Sequence, residues 1–140
     1  MKGTDIIWFK QFSDGRGSLV PIEGVKDIPF DIRRIYYIFN VPGDITRGFH
    51  AHVDLNQVLL CVSGHVKIRV KSAQEEEVFT LDNPSKGLFV GDMLWREMYD
   101  FSKDAVLLVL ASKPYNDNDY IRDYDEFVKM ATVYCQKETV

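Results

Sequence analysis

Cysteine is scarce in this chain: Cys61 and Cys135 are the only two in 140 residues, far apart and outside any C-x-x-C spacing. That excludes a disulfide framework and a cysteine-based zinc motif, and leaves both as reduced packing residues. Long apolar runs are missing too. The greasiest stretch, Ala105 to Ala111, falls far short of the roughly 20 residues that a membrane helix needs, and MKGTDIIWFKQF at the N-terminus holds no signal-type apolar segment. A soluble, cytoplasmic protein is expected. Positive charge is in deficit, with 17 Lys and Arg against 21 Asp and Glu for a net charge of −4, and no basic block occurs. Neither nucleic acid nor an anionic membrane is therefore an expected partner.

What is plentiful is apolar material in short pieces. With 46% hydrophobic and 13% aromatic residues, a chain of this length supports one domain over 1–140. Alternating or apolar runs occur at Asp5–Phe9, Ser18–Glu23, Arg33–Asn40, Arg47–His52, Gln57–Val62, His65–Lys71, Glu77–Asp82, Gly87–Val90, Met93–Phe101 and Ala105–Ala111. Between them stand turn formers such as Asp14-Gly15-Arg16-Gly17, Pro42-Gly43-Asp44, Ser63-Gly64, Asn83-Pro84-Ser85 and Gly91-Asp92. This pattern predicts an all-β sandwich or barrel over about 4–112. Beyond Pro114 an acidic stretch leads into Tyr120–Gln136, where Tyr124, Phe127, Val128 and Ala131 recur at helical spacing. One helix is expected in a tail over about 115–136, starting near Asp119 to Asp123 and capping the barrel or packing on a partner subunit. A lone helix does not make a helix-turn-helix.

Of only three histidines, two sit together in Arg47-Gly48-Phe49-His50-Ala51-His52. On a strand, residues two apart share a face, so His50 and His52 converge while Phe49 and Ala51 point the other way. Such a pair, followed by an amide or acid on a Gly-bounded strand, resembles the first motif of the cupin superfamily. That resemblance implies a double-stranded β-helix, or jelly-roll barrel, whose histidines usually share a metal with a Glu and a later His. Here Gln57 stands in the carboxylate's place and Arg96 in that of the third His. A guanidinium cannot coordinate a cation, and Glu97, the remaining candidate, alternates to the opposite face, so no metal is expected. Metal-free imidazoles suit proton transfer near neutral pH.

A closer resemblance is carried by Asp14-Gly15-Arg16-Gly17-Ser18-Leu19, Arg33-Arg34-Ile35-Tyr36-Tyr37-Ile38-Phe39, the histidine motif, Gln57-Val58-Leu59, Trp95-Arg96-Glu97-Met98 and Asp119-Tyr120-Ile121-Arg122-Asp123-Tyr124-Asp125. In order, and over nearly the whole chain, these look like the nucleotide-sugar 3,4-ketoisomerases. The resemblance implies a cofactor-free homodimeric enzyme that moves the carbonyl of dTDP-4-keto-6-deoxy-D-glucose from C4 to C3, ahead of a transaminase that installs a 3-amino group. It implies His50, His52 and Tyr36 as catalytic residues; the chemistry of proton abstraction suits His50 as base and acid at carbon, His52 as proton shuttle and Tyr36 as donor or orienter, with the division between the two histidines left open. Arg34 and Arg47 become diphosphate ligands, and Arg16, Gln57 and Arg96 further substrate contacts. Strand parity favours Tyr36 over Tyr37, since Arg34, Tyr36 and Ile38 share one face. His65 is expected in solvent, and Trp95, Tyr115, Tyr120 and Tyr124 in core or interface, with Arg122 buttressing the tail. The alternatives are a 3,5-epimerase of the same sugar and a non-catalytic sugar-binding cupin.

Overall fold

The computed structural model describes residues 1–138, so positions 139 and 140 of the expected domain lie outside the described residues. Twelve strands and one long helix follow in order: β1 (Thr4–Trp8), β2 (Phe12–Asp14), β3 (Gly17–Leu19), β4 (Arg34–Phe39), β5 (Arg47–His52), β6 (Gln57–Ser63), β7 (Val66–Lys71), β8 (Glu76–Leu81), β9 (Lys86–Val90), β10 (Trp95–Tyr99), β11 (Val106–Ala111), β12 (Tyr120–Ile121) and α1 (Tyr124–Glu138). Two antiparallel five-stranded sheets, β1-β9-β6-β11-β4 and β12-β5-β10-β7-β8, face each other, and β2-β3 form a separate hairpin. This is the expected jelly roll with a C-terminal helix. Period-two alternation sends Leu59 and Cys61 of β6, Ile68 and Val70 of β7, and Leu107 and Val109 of β11 into one shared core.

The outer faces are covered differently. Val58, Leu60 and Leu110 on the first sheet pack under the 20–32 segment through Ile28 and Phe30. On the second sheet, Ala51 and Trp95 pack against Phe127 and Ala131 of the helix. The helix therefore lies on the flank of its own barrel, and Trp95 is core as expected.

Two expected boundaries need correction. The helix begins at Tyr124, after a short 3₁₀ turn at Asp117–Asp119, because Tyr120 and Ile121 pair with His52 and Ala51 at the edge of β5. Asp123 then caps the helix by accepting the Glu126 amide proton at 2.9 Å. The Asp5–Phe9 and Ser18–Glu23 runs are also joined by an unforeseen strand, β2, and the second ends early at Leu19.

The face of β4 formed by Ile35, Tyr37 and Phe39 is not packed on this chain. These residues are 59%, 62% and 55% exposed, on a strand that ends its sheet. Among the described residues no helix is long and apolar enough to cross a membrane.

Candidate active site

A bulge shapes β5. Arg96 of β10 pairs with His50 and the next residue, Glu97, with Gly48, so Phe49 is an extra residue on β5. Gly48 and Phe49 both take positive φ, +97° and +55°. A Cβ on Gly48 would stand 2.8 Å from the Arg96 carbonyl oxygen, so glycine is required twice over. The bulge turns the Gly48 carbonyl back onto the next histidine: His50 Nδ1 lies 3.1 Å from it. A carbonyl only accepts, so Nδ1 carries the proton and Nε2 is left as the bare, basic nitrogen.

His52 is set the same way by a different group. Its Nδ1 lies 2.9 Å from Asp119 Oδ2, while Asp119 Oδ1 accepts the Asp54 amide at 2.7 Å. Its Nε2 is buried without a protein partner. The two imidazoles meet edge to face at 4.9 Å, and the Tyr120 ring lies against both, at 5.1 Å from His50 and 4.4 Å from His52.

Beside this pair opens a cavity of about 450 Å³ lined by Arg34, Tyr36, Ile38, Arg47, Gly48, His50, Met98, Tyr115, Tyr120 and Arg122. The parity argument holds, since Tyr36 faces in and Tyr37 out. Around the mouth, Arg34 lies 5.5 Å from the Tyr36 ring and 5.7 Å from the Tyr115 ring. Arg122 lies over Tyr120 at 4.3 Å and bonds Asp117 at 3.0 Å.

Burial comes first among the causes that push His50 down to about 4, and the positive charge of Arg96 adds to it. The same two causes push His52 down to about 2. Both imidazoles are therefore neutral at physiological pH, and the His52–Asp119 contact is a hydrogen bond from a neutral ring to a carboxylate. Burial raises the Tyr36 phenol, against the pull of Arg96. Arg96 itself is lowered by burial to about 10 and stays charged at neutral pH.

Three expected contacts are placed differently. Gln57 and Arg96 are 1% and 0% exposed and do not line the cavity. Instead Arg96 Nη1 donates to Gln57 Oε1, Arg96 Nη2 donates to the Leu94 carbonyl at 3.0 Å, and Gln57 Nε2 donates to Tyr36 Oη at 3.0 Å. Arg16 stands on the β2-β3 hairpin with its side chain 91% exposed, bonded to Asp14. That hairpin continues from Trp8, opposite Lys86, and is tied to Ser85 through Gln11, whereas Gln57 pairs with Val90 at the other end of β9. Arg16 is thus remote from its own chain's cavity. His52 is likewise not in the cavity wall but beneath it.

Tyr115, Tyr120 and Arg122 are the reverse case, as cavity residues expected in the core, an interface or the tail. Asp119, part of a stretch that carries the resemblance, has a role at His52 that the sequence does not assign. The signal available for it was Asp119-Tyr120-Ile121 following an exposed acidic stretch, where a short strand returning to the histidine strand would place it. Glu97 faces outward as expected, bonded to Trp95 Nε1 and Arg69. Among the described residues no group of three or more His, Cys, Asp or Glu is arranged to hold a metal ion.

A jelly-roll barrel whose open end holds two imidazoles with bare Nε2 atoms, walled by tyrosines and arginines, belongs to the cupin class. Within it, the chain belongs to the family described as "FdtA: WxcM-like, C-terminal", whose pattern matches residues 2–132. It is 49% identical over 134 residues to the TDP-4-oxo-6-deoxy-alpha-D-glucose-3,4-oxoisomerase of Aneurinibacillus thermoaerophilus, covering 95% of this chain and 96% of that one. A solved structure of a substituted 3,4-ketoisomerase QdtA from Thermoanaerobacterium thermosaccharolyticum, in complex with TDP-4-keto-6-deoxyglucose, is 51% identical with a TM-score of 0.92, covering 94% of this chain and 95% of that one. The WlaRB TDP-quinovose 3,4-ketoisomerase of Campylobacter jejuni is 43% identical with a TM-score of 0.89, covering 92% of this chain and 99% of that one.

Proposed function

We propose that this chain is a one-domain, cytoplasmic, cofactor-free 3,4-ketoisomerase acting on dTDP-4-keto-6-deoxy-D-glucose. The observation that carries the reading is the bare Nε2 of His50 at the wall of a cavity shared with the Tyr36 phenol, in a chain half identical to enzymes named for this reaction. A C3 proton beside a C4 ketone is only weakly acidic, so a fixed base and a donor to the developing enolate are both needed. His50 Nε2 takes the C3 proton, and the C3–H electrons form a C3=C4 double bond as the C4 carbonyl electrons move to O4. Tyr36 donates a hydrogen bond to O4. The O3 hydroxyl then gives up its proton as the C3=O3 bond forms, O4 gains one, and protonated His50 delivers its proton to C4. No oxidant or reductant is consumed. The oxygen-bound proton passes from O3 to O4 within the cavity, while His52, beneath the wall, packs edge to face on His50 and holds that ring in place.

Arg34, Arg47 and Arg122 gather three guanidinium groups at the mouth, a chemistry that suits a diphosphate.

A second copy is the proposed cover for Ile35, Tyr37 and Phe39. An exposed apolar face on an edge strand is unfavourable in water, and pairing of two copies buries it. Arg16, remote from its own cavity, is then a substrate contact in the other protomer. Light scattering should give a dimer for the wild type and a smaller species for Tyr37→Asp.

The function is tested by adding dTDP-4-keto-6-deoxyglucose, with EDTA present, and following the ring carbons by ¹³C NMR. Movement of the carbonyl from C4 to C3 is expected, whereas a carbonyl that stays at C4 contradicts the reading.

A further inference from the structure

Gln57 and Arg96 are buried polar side chains that do not line the cavity beside His50, on strands of opposite sheets. A guanidinium donates at every nitrogen and accepts at none. The Gln57 atom that meets Arg96 Nη1 must therefore be the carbonyl oxygen, which turns Nε2 towards Tyr36 Oη, 3.0 Å away. An amide nitrogen can only donate there. The phenol oxygen must accept, and its own proton must point elsewhere. Among the described residues no protein group receives that proton, and Tyr36 lines the cavity. Arg96 forms no ion pair with a carboxylate among the described residues, so its charge is free to act along this chain of bonds.

We infer that Arg96 and Gln57 form a one-way hydrogen-bond relay that holds the Tyr36 hydroxyl as a donor towards the cavity. This rests on the ketoisomerase reading and adds two positioning residues to it. A developing enolate oxygen then meets an O–H already pointed at it, at no cost in reorientation. Arg96 fixes the amide, the amide fixes the phenol, and only the phenol touches substrate.

Gln57→Glu tests the relay at nearly constant shape. The carboxylate still satisfies Arg96 but has no proton for Tyr36, so the hydroxyl turns inward to donate to it. Turnover should fall by about 10²-fold, the scale of losing one such donor. KM should stay near the wild-type value and Tm should not fall, because the buried guanidinium gains a counter-ion. In a Tyr36→Phe background the same substitution should cause no further loss, since the group it acts through is gone. Arg96→Met, which frees the amide to flip, supplies an independent series with the same expectation against Tyr36→Phe, and Arg96→Lys, which can still only donate, should restore most of the activity. Wild-type kcat in Gln57→Glu, or losses that multiply in the double variants, would overturn the relay. A wild type that leaves the keto sugar unchanged would overturn the enzyme reading instead, so the two failures are distinguishable.

Discussion

Asp119 accepts the Nδ1 proton of His52 at 2.9 Å, joining residues 67 apart in sequence. The bond is made possible by β12, whose pairing of Tyr120 with His52 brings the C-terminal segment back to the histidine strand. One carboxylate therefore sets the tautomer of the buried imidazole and, through the Asp54 amide, the turn that follows β5.

Asp119→Asn should lower kcat by roughly 10- to 100-fold, the usual scale for a group that orients a functional imidazole. The amide can serve His52 or the Asp54 N–H through its one oxygen, but not both. Steady-state kinetics and a thermal melt check this together: kcat should drop while the fold persists.

Tyr36→Phe should depress kcat, and Tyr37→Phe should leave it unchanged, because only the first hydroxyl reaches the cavity. The comparison of the two rates is the measurement. Equal losses would mean that the ring stack of β4, rather than the phenol proton, supports turnover.

The pH profile follows from His50, whose value of about 4 lies below the ordinary 6.5. The base form persists well below neutrality, so kcat/KM should bend down near pH 4 instead of near 6.5. The stability effect has a defined sign. Above pH 6.5 the imidazole is neutral folded or unfolded and has no effect; between 6.5 and 4 the unfolded chain binds a proton that the native one refuses. Stability should therefore fall with falling pH across that window, by on the order of 3 kcal/mol from this group, and level off below it. His50→Asn should make that part of the Tm-versus-pH curve shallower and leave the slope that His52, lowered to about 2, contributes over the same window.

Gly48→Ala should both destabilise and inactivate. Its Cβ would meet the Arg96 carbonyl at 2.8 Å, and φ of +97° is strained for any L side chain. Relief of that contact shifts β5 against β10 and moves the Gly48 carbonyl off His50. Urea unfolding should show a loss of about 2 kcal/mol or more, with activity falling even in the fraction that remains folded.

Much of this is legible in the sequence alone. The strands from β4 to β11 follow from period-two alternation between turn formers, and the inward face of His50, His52, Arg34 and Tyr36 follows from the same parity. The β2 strand and β12 were hidden because three or two residues carry no period. Without β12 the expected helix starts too early, and nothing in the sequence links Asp119, Tyr115 and Tyr120 to the histidines. The fate of Gln57 and Arg96 was hidden for another reason. The resemblance makes them substrate contacts, but whether an inward polar group meets ligand or a second buried polar group depends on which strands lie opposite. Arg16 shows the same limit at larger scale, since residue identity says nothing of the end of the barrel at which a hairpin stands.

The central claim is that His50 removes the C3 proton, exchanges it with solvent in the open cavity, and then protonates C4. Turnover of dTDP-4-keto-6-deoxyglucose in D₂O, read by NMR of the product, tests it most directly. The account predicts a 3-keto sugar with deuterium at C4 from the wild type and no ring deuterium from folded His50→Asn. Wild-type label at C3 or C5 with the carbonyl still at C4, or undiminished C4 labelling by His50→Asn, would contradict it.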